Sequence, residues 1–187
     1  MHLLVDIKTN GTESVVGIRH DDYKLNFLLY IRALPFILKA LQPLRSAGYL
    51  STSRNGNLTT SVVTVIGTGD SPLDIIKALE PRDYFFDAPL TQLNDVSLNT
   101  TWNATLSPIA SAHYGDTVGW NGLTTISDEQ RNIITTLVNN AHTTGIEVRI
   151  WDMPRWPVIA RNNIWRELLN DGVDWLNVDD VEDASKF

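Results

Sequence analysis

Six short apolar runs, at residues 3–9, 62–66, 83–87, 108–113, 146–151 and 173–178, constrain this chain more than any other feature. Between them lie helical patterns at about 27–47, 72–79, 128–143 and 158–170. Strands that alternate with helices build right-handed βαβ units and a parallel sheet. The runs are rich in Val, Ile and Phe, as strands buried in such a sheet should be. Turn chemistry marks several boundaries. Gly48, Gly145 and Gly172 stand where helix C-caps are expected, and Ser127-Asp128-Glu129-Gln130 has capping-box form. Residues 13–24 are polar and charged, as in a loop or insertion, and 90–106 form a long polar loop with room for a helical turn near Gln92.

Residue parity within each strand chooses between barrel and open sheet. Asp6 and Lys8 share a face, as do Thr64 and Thr68, Phe85 and Asp87, Ser111 and His113, Arg149 and Trp151, and Asn177 and Asp179. Hydrogen-bonding or ionisable groups thus collect toward the C-terminal strand ends, with apolar residues largely on the other parity. That pattern suits strands with helices outside and a site at the C-terminal mouth. Strands of a doubly wound sheet should instead be apolar on both faces. The expected fold class is α/β, an incomplete TIM-type (β/α) barrel. A full barrel takes eight strands and about 250 residues. Six strands in 187 residues predict that the first two strand-helix units are absent, with 1–187 forming a single domain.

Composition removes several functions. A net charge of -7 and a pI near 4.9 argue against an electrostatic nucleic-acid binder. The chain has no cysteine, so disulfides and thiolate metal sites are excluded. No apolar run approaches transmembrane length, and no signal peptide precedes the first strand. Four N-glycosylation sequons, at Asn10, Asn57, Asn99 and Asn103, weigh toward a secreted or luminal setting without deciding it.

The candidate chemistry begins at Asp6 and Lys8. A carboxylate and an ammonium two residues apart at a strand end suit a metal-plus-phosphate site: the acid can hold a hard cation and the lysine can face phosphate oxygen. A buried ion pair or a solvated strand end uses the same residues. His113 faces the expected mouth, although a histidine ending a core strand is as often structural. His142 falls on a helix and reads as a partly buried surface histidine, and His20 lies in a polar loop. Trp165 and Trp175 fit helix-barrel packing better than ligand stacking. Arg155 and Arg161 read as solvated arginines, and Asp179 and Asp180 as a strand-end cap or solvated pair. Gly67-Thr68-Gly69 lacks the lysine and spacing of a phosphate loop.

Several stretches resemble a known family. Leu4-Val5-Asp6-Ile7-Lys8-Thr9 is similar to the third-strand motif of the phospholipase C-like phosphodiesterases, which include glycerophosphodiester phosphodiesterases and sphingomyelinase D enzymes. Val148-Arg149-Ile150-Trp151 resembles their seventh-strand tryptophan motif, and residues 172–179 their closing strand. A fuller likeness is to the fungal altered inheritance of mitochondria protein 6 family. It is carried by Gly67-Thr68-Gly69, Phe85-Phe86-Asp87-Ala88-Pro89-Leu90, Ser107-Pro108-Ile109-Ala110-Ser111, Trp151-Asp152-Met153-Pro154-Arg155-Trp156-Pro157 and Asn177-Val178-Asp179-Asp180.

The resemblance implies metal-dependent cleavage of glycerophosphodiesters or lipid phosphodiesters, with Mg or Ca as the family's metal. It makes Asp6 a metal ligand, Lys8 the catalytic lysine facing phosphate, and Trp151 the wall of the substrate pocket. Strand parity adds His113 and Arg149 as further substrate-binding candidates at the same mouth. The family's two acid-base histidines and its Glu-x-Asp metal pair have no match in this sequence. General acid-base groups each contribute about 10²–10⁴-fold in rate, so the expectation for this chain alone is no measurable turnover and weakened metal binding. The alternative is a non-catalytic barrel remnant that binds a phospho-ligand or a partner, with self-association through open sheet edges a further possibility.

Overall fold

The computed structural model describes residues 1–8 and 34–187. His20, the Asn10 sequon, the polar stretch 13–24 and the first part of the expected helix 27–47 lie outside the described residues. The described chain forms two compact units, Met1–Asp87 and Ala88–Phe187.

In the first unit, β1 (His2–Ile7) pairs in parallel with β4 (Thr64–Gly69), with Asp6 opposite Thr68 and Ile7 opposite Gly69. β4 pairs in parallel with β5 (Phe85–Pro89) through Ile66 opposite Phe85. Val65, Ile66, Ile76, Tyr84 and Phe85 are buried, each apolar side chain of this size contributing about 1.5–3 kcal/mol. β1 is more exposed, with both Leu3 and Leu4 reaching solvent.

The expected helix 27–47 is interrupted. Residues 34–40 are helical, Leu41 is a turn, and α1 (Gln42–Ser46) carries Pro43 in its first turn. Pro43 has no backbone N–H to donate, so the ladder weakens where that bond would fall. A hairpin of β2 (Thr52–Arg54) and β3 (Asn57–Thr59) occupies what the sequence marks only as a turn. Asn55 and Gly56 both have positive φ, the backbone that a two-residue type I′ connection needs. α2 (Leu73–Ala78) then joins β4 to β5.

In the second unit, β6 (Ile109–His113), β7 (Glu147–Trp151) and β8 (Trp175–Leu176) are parallel neighbours in chain order. A short helix missed by the sequence reading, α3 (Tyr114–Thr117), follows β6 directly. α4 (Asp128–His142) begins at the expected capping box: Ser127 Oγ accepts the Gln130 N–H at 3.1 Å, and Gln130 Oε1 accepts the Ser127 N–H at 3.2 Å. α4 packs against β7, and α5 (Val158–Asn170) buries Ala160, Ile164, Trp165 and Leu168 along one helical stripe. The sixth strand is a correction. Only Trp175 and Leu176 pair, not 173–178, and α6 (Val181–Ala184) occupies part of the acidic tail.

Parallel strands follow one another in chain order within each unit. A doubly wound sheet reverses its order at a switch point; neither unit does. The chain is α/β, of the incomplete (β/α)-barrel class. Parity is clearest in β7, where Val148 and Ile150 are buried while Glu147, Arg149 and Trp151 are partly or well exposed. β4 is buried on both faces over most of its length.

Candidate functional site

In the first unit, Lys8 Nζ lies 3.1 Å from Asp6 Oδ2, with both side chains exposed to solvent. The pair is therefore a solvated one at the C-terminal end of β1. Gly69 fixes its surroundings. Its φ is +65°, and a Cβ there would collide with Asp6 Oδ1 and the Ile7 carbonyl. The same carbonyl accepts the Asp70 N–H at 2.9 Å. Thus the glycine in Gly67-Thr68-Gly69 lets β4 close against the Asp6 carboxylate.

The second unit brings three of the expected residues together. Registers Ser111 to Arg149 and His113 to Trp151 align those side chains across β6 and β7. Arg149 Nη1 donates to Ser111 Oγ at 3.2 Å, and Arg149 Nε donates to Asn177 Oδ1 at 3.2 Å. These two bonds to neutral side chains orient the guanidinium fork. His113 stands edge-on to Trp151 with ring centroids 4.8 Å apart.

Two aspartates that the sequence reading did not select hold this histidine. His113 Nε2 lies 2.9 Å from Asp152 Oδ2, and Nδ1 lies 3.0 Å from Asp116 Oδ2. The Asp116 backbone N–H also points to Nδ1 at 3.2 Å. Asp152 reaches the ring from a backbone with φ +60°, uncommon for a residue other than glycine. Its place directly after Trp151 was the available signal. Asp116 had none, because α3 was not foreseen.

Two bland expectations change, those for Trp175 and Arg161. Trp175 is not packed beneath a helix: it pairs across from Arg149, is partly exposed, and donates from Nε1 to Glu147 Oε2 at 2.6 Å. Arg161 is not solvated. It is buried, with its guanidinium 4.5 Å over the Trp165 ring and 2.7 Å from Asp183 Oδ2. Arg155 is solvated as expected, in an exposed bridge to Asp179 at 2.9 Å. His142 remains on the surface, 2.9 Å from Asp174 Oδ2.

The described residues do not by themselves fit a resident metal. No group of three or more His, Asp or Glu side chains among them could hold an ion, and Asp6 is one carboxylate already engaged by Lys8. Hard divalent cations need six or more oxygen ligands, only some of which water and substrate can supply.

Comparison with known proteins agrees with this architecture. Residues 1–87 match the AIM6-like phosphodiesterase domain, which defines the class as a phospholipase C-like, phosphodiesterase-type α/β domain. The chain is 39% identical over 160 residues to the altered inheritance of mitochondria protein 6 homolog of Arthroderma benhamiae, covering 83% of this chain and 49% of that protein. It is 32% identical over 202 residues to altered inheritance of mitochondria protein 6 of Eremothecium gossypii, covering 98% of this chain and 52% of the relative. Against the protein of that name from Saccharomyces cerevisiae the identity is 25% over 191 residues, or 92% and 46% of the two chains. The chain belongs to the altered inheritance of mitochondria protein 6 family, and it spans about half the length of these curated relatives. No solved structure matches it.

Proposed function

We propose that the protein takes part in hydrolysis of a phosphodiester, of the glycerophosphodiester or lipid phosphodiester class, and that these 187 residues alone bind such a ligand without turning it over. The observation that carries the reading is Arg149, oriented by Ser111 and Asn177 beside His113 and Trp151 at the ends of parallel strands. A planar guanidinium presented in fixed geometry suits phosphate oxygens, and the neighbouring indole supplies apolar surface for the rest of the substrate. Lys8 would offset phosphate charge. Asp6 would be one acidic ligand of a Mg or Ca ion whose other ligands these residues do not supply. The expectation of no turnover rests on the lack, in these residues, of a match for the family's acid-base histidines or its Glu-x-Asp pair.

The test is an assay of the 187-residue chain with glycerophosphocholine and lysophosphatidylcholine, with Mg or Ca supplied. The expected result is no product above the uncatalysed rate. Hydrolysis abolished by Asp6→Asn would show that the chain is an enzyme on its own and overturn this reading.

A further inference from the structure

Two segments that follow consecutive strands of the second unit expose apolar side chains. Between β7 and α5, and in the first turn of α5, Trp156 is 79% exposed, Ile159 64% and Val158 41%. Between α3 and α4, Leu123 is 59% exposed. The loops touch: Gly122 packs so closely on Ala160 that a Cβ would collide with its backbone, and Asn163 Nδ2 donates to the Gly122 carbonyl at 2.8 Å. Leu123 is thereby held beside the first turn of α5. The Leu123 loop is also tied to α3, since the buried Tyr114 hydroxyl donates to the Trp120 carbonyl at 2.7 Å.

The two segments that carry the patch hold no acid of their own, although Asp152 and Glu167 flank one and Asp116 and Asp128 the other. Residues 117–127 carry no ionisable side chain, and residues 153–166 carry Arg155, Arg161 and Arg166 with no acid, in a chain whose net charge is -7. Arg161 is largely buried and tied to the partly exposed Asp183. Arg155, next to Trp156, is 78% exposed, and its bridge to Asp179 is open to solvent, where such a pair contributes little and can be exchanged. An exposed indole with aliphatic neighbours and an adjacent guanidinium suits the boundary between lipid headgroups and acyl chains: the ring lies at headgroup depth, the aliphatic groups reach below it, and the arginine meets phosphate.

We propose that Leu123, Trp156, Val158 and Ile159 form a lipid-surface contact that inserts into zwitterionic bilayers, with Arg155 engaging headgroup phosphate. The acidic remainder of the chain makes zwitterionic lipid the better partner than anionic lipid. β7 ends at Trp151 just before the Trp156 segment, and α3 joins the end of β6 to the Leu123 loop, so the contact lies on the His113 and Trp151 end of these strands. Binding to vesicles needs no catalysis, so it is independent of turnover.

The test is flotation of the full 187-residue chain with phosphatidylcholine vesicles, alongside vesicles containing phosphatidylserine. The chain should float with phosphatidylcholine, with binding little changed by salt. Trp156→Ser combined with Ile159→Ser should weaken binding at least tenfold while leaving the far-UV spectrum and melting temperature near wild type, because both side chains point to solvent. Trp156→Phe should retain most of the binding. Failure of the wild type to float, equal binding by the double variant, or binding only to phosphatidylserine would overturn the proposal. So would a dimer of the wild type that the double variant dissolves, since the patch would then face a second copy of the chain.

Discussion

Gly69 makes the sharpest residue-scale demand. Its positive φ and its contact with Asp6 leave no room for a side chain. Gly69→Ala is expected to destabilise the protein by about 1–3 kcal/mol through backbone strain and displacement of the Asp6 carboxylate. Urea unfolding should show a lower midpoint with an unchanged slope. Arg161 sets a pH dependence. Its hydrogen bond to Asp183 holds that carboxyl below the usual carboxylate range, helped by charge from Arg161 and Lys186. An acid with a depressed folded pKa stabilises the fold above its unfolded pKa, and that stability is lost as pH falls through the folded value. Arg161→Met should therefore flatten the acid limb of stability measured between neutral pH and the lower carboxylate range. Sequence alone could not separate Arg161 from an ordinary surface arginine: its partner lies 22 positions away in a tail that gives no strong helical signal.

At the scale of elements, what was legible depended on how local the determining chemistry is. The capping box predicts the start of α4, Gly172 the end of α5, and the alternation of Glu147, Val148, Arg149, Ile150 and Trp151 predicts β7 and its two faces. β8 was overestimated because apolar residues around Trp175 continue the strand pattern, whereas pairing with β7 ends after two residues. The β2–β3 hairpin was missed because its strands are three residues each and mostly polar, too short to show a period. The break before α1 is written in the sequence as Pro43, which removes an N–H from the helical ladder. If the capping box starts α4, Ser127→Ala should cost about 1 kcal/mol. The loss should appear as a lower melting temperature, and Ser127→Asp, which restores an acceptor, should recover most of it.

For the whole molecule, class and site differ in how far sequence reaches. Strand-helix alternation and a handful of motifs suffice for a phosphodiesterase-type α/β domain, because each is written in contiguous residues. The clasp of Asp116 and Asp152 around His113, and the bracing of Arg149 by Ser111 and Asn177, join residues up to 39 positions apart and appear only when the strands are in register. Asp6 and Lys8 were legible as a pair, yet their exposure was not. The most direct measurement of phosphate recognition is the thermal unfolding of the 187-residue chain against rising glycerophosphocholine, for wild type and Arg149→Ala, after circular dichroism has shown both to be folded. A ligand at one hundred times its dissociation constant adds about 2.7 kcal/mol of stability. Recognition through Arg149 predicts a saturating rise in the wild-type melting temperature that the variant lacks, and an unchanged wild type, or an equal rise in both, would contradict it.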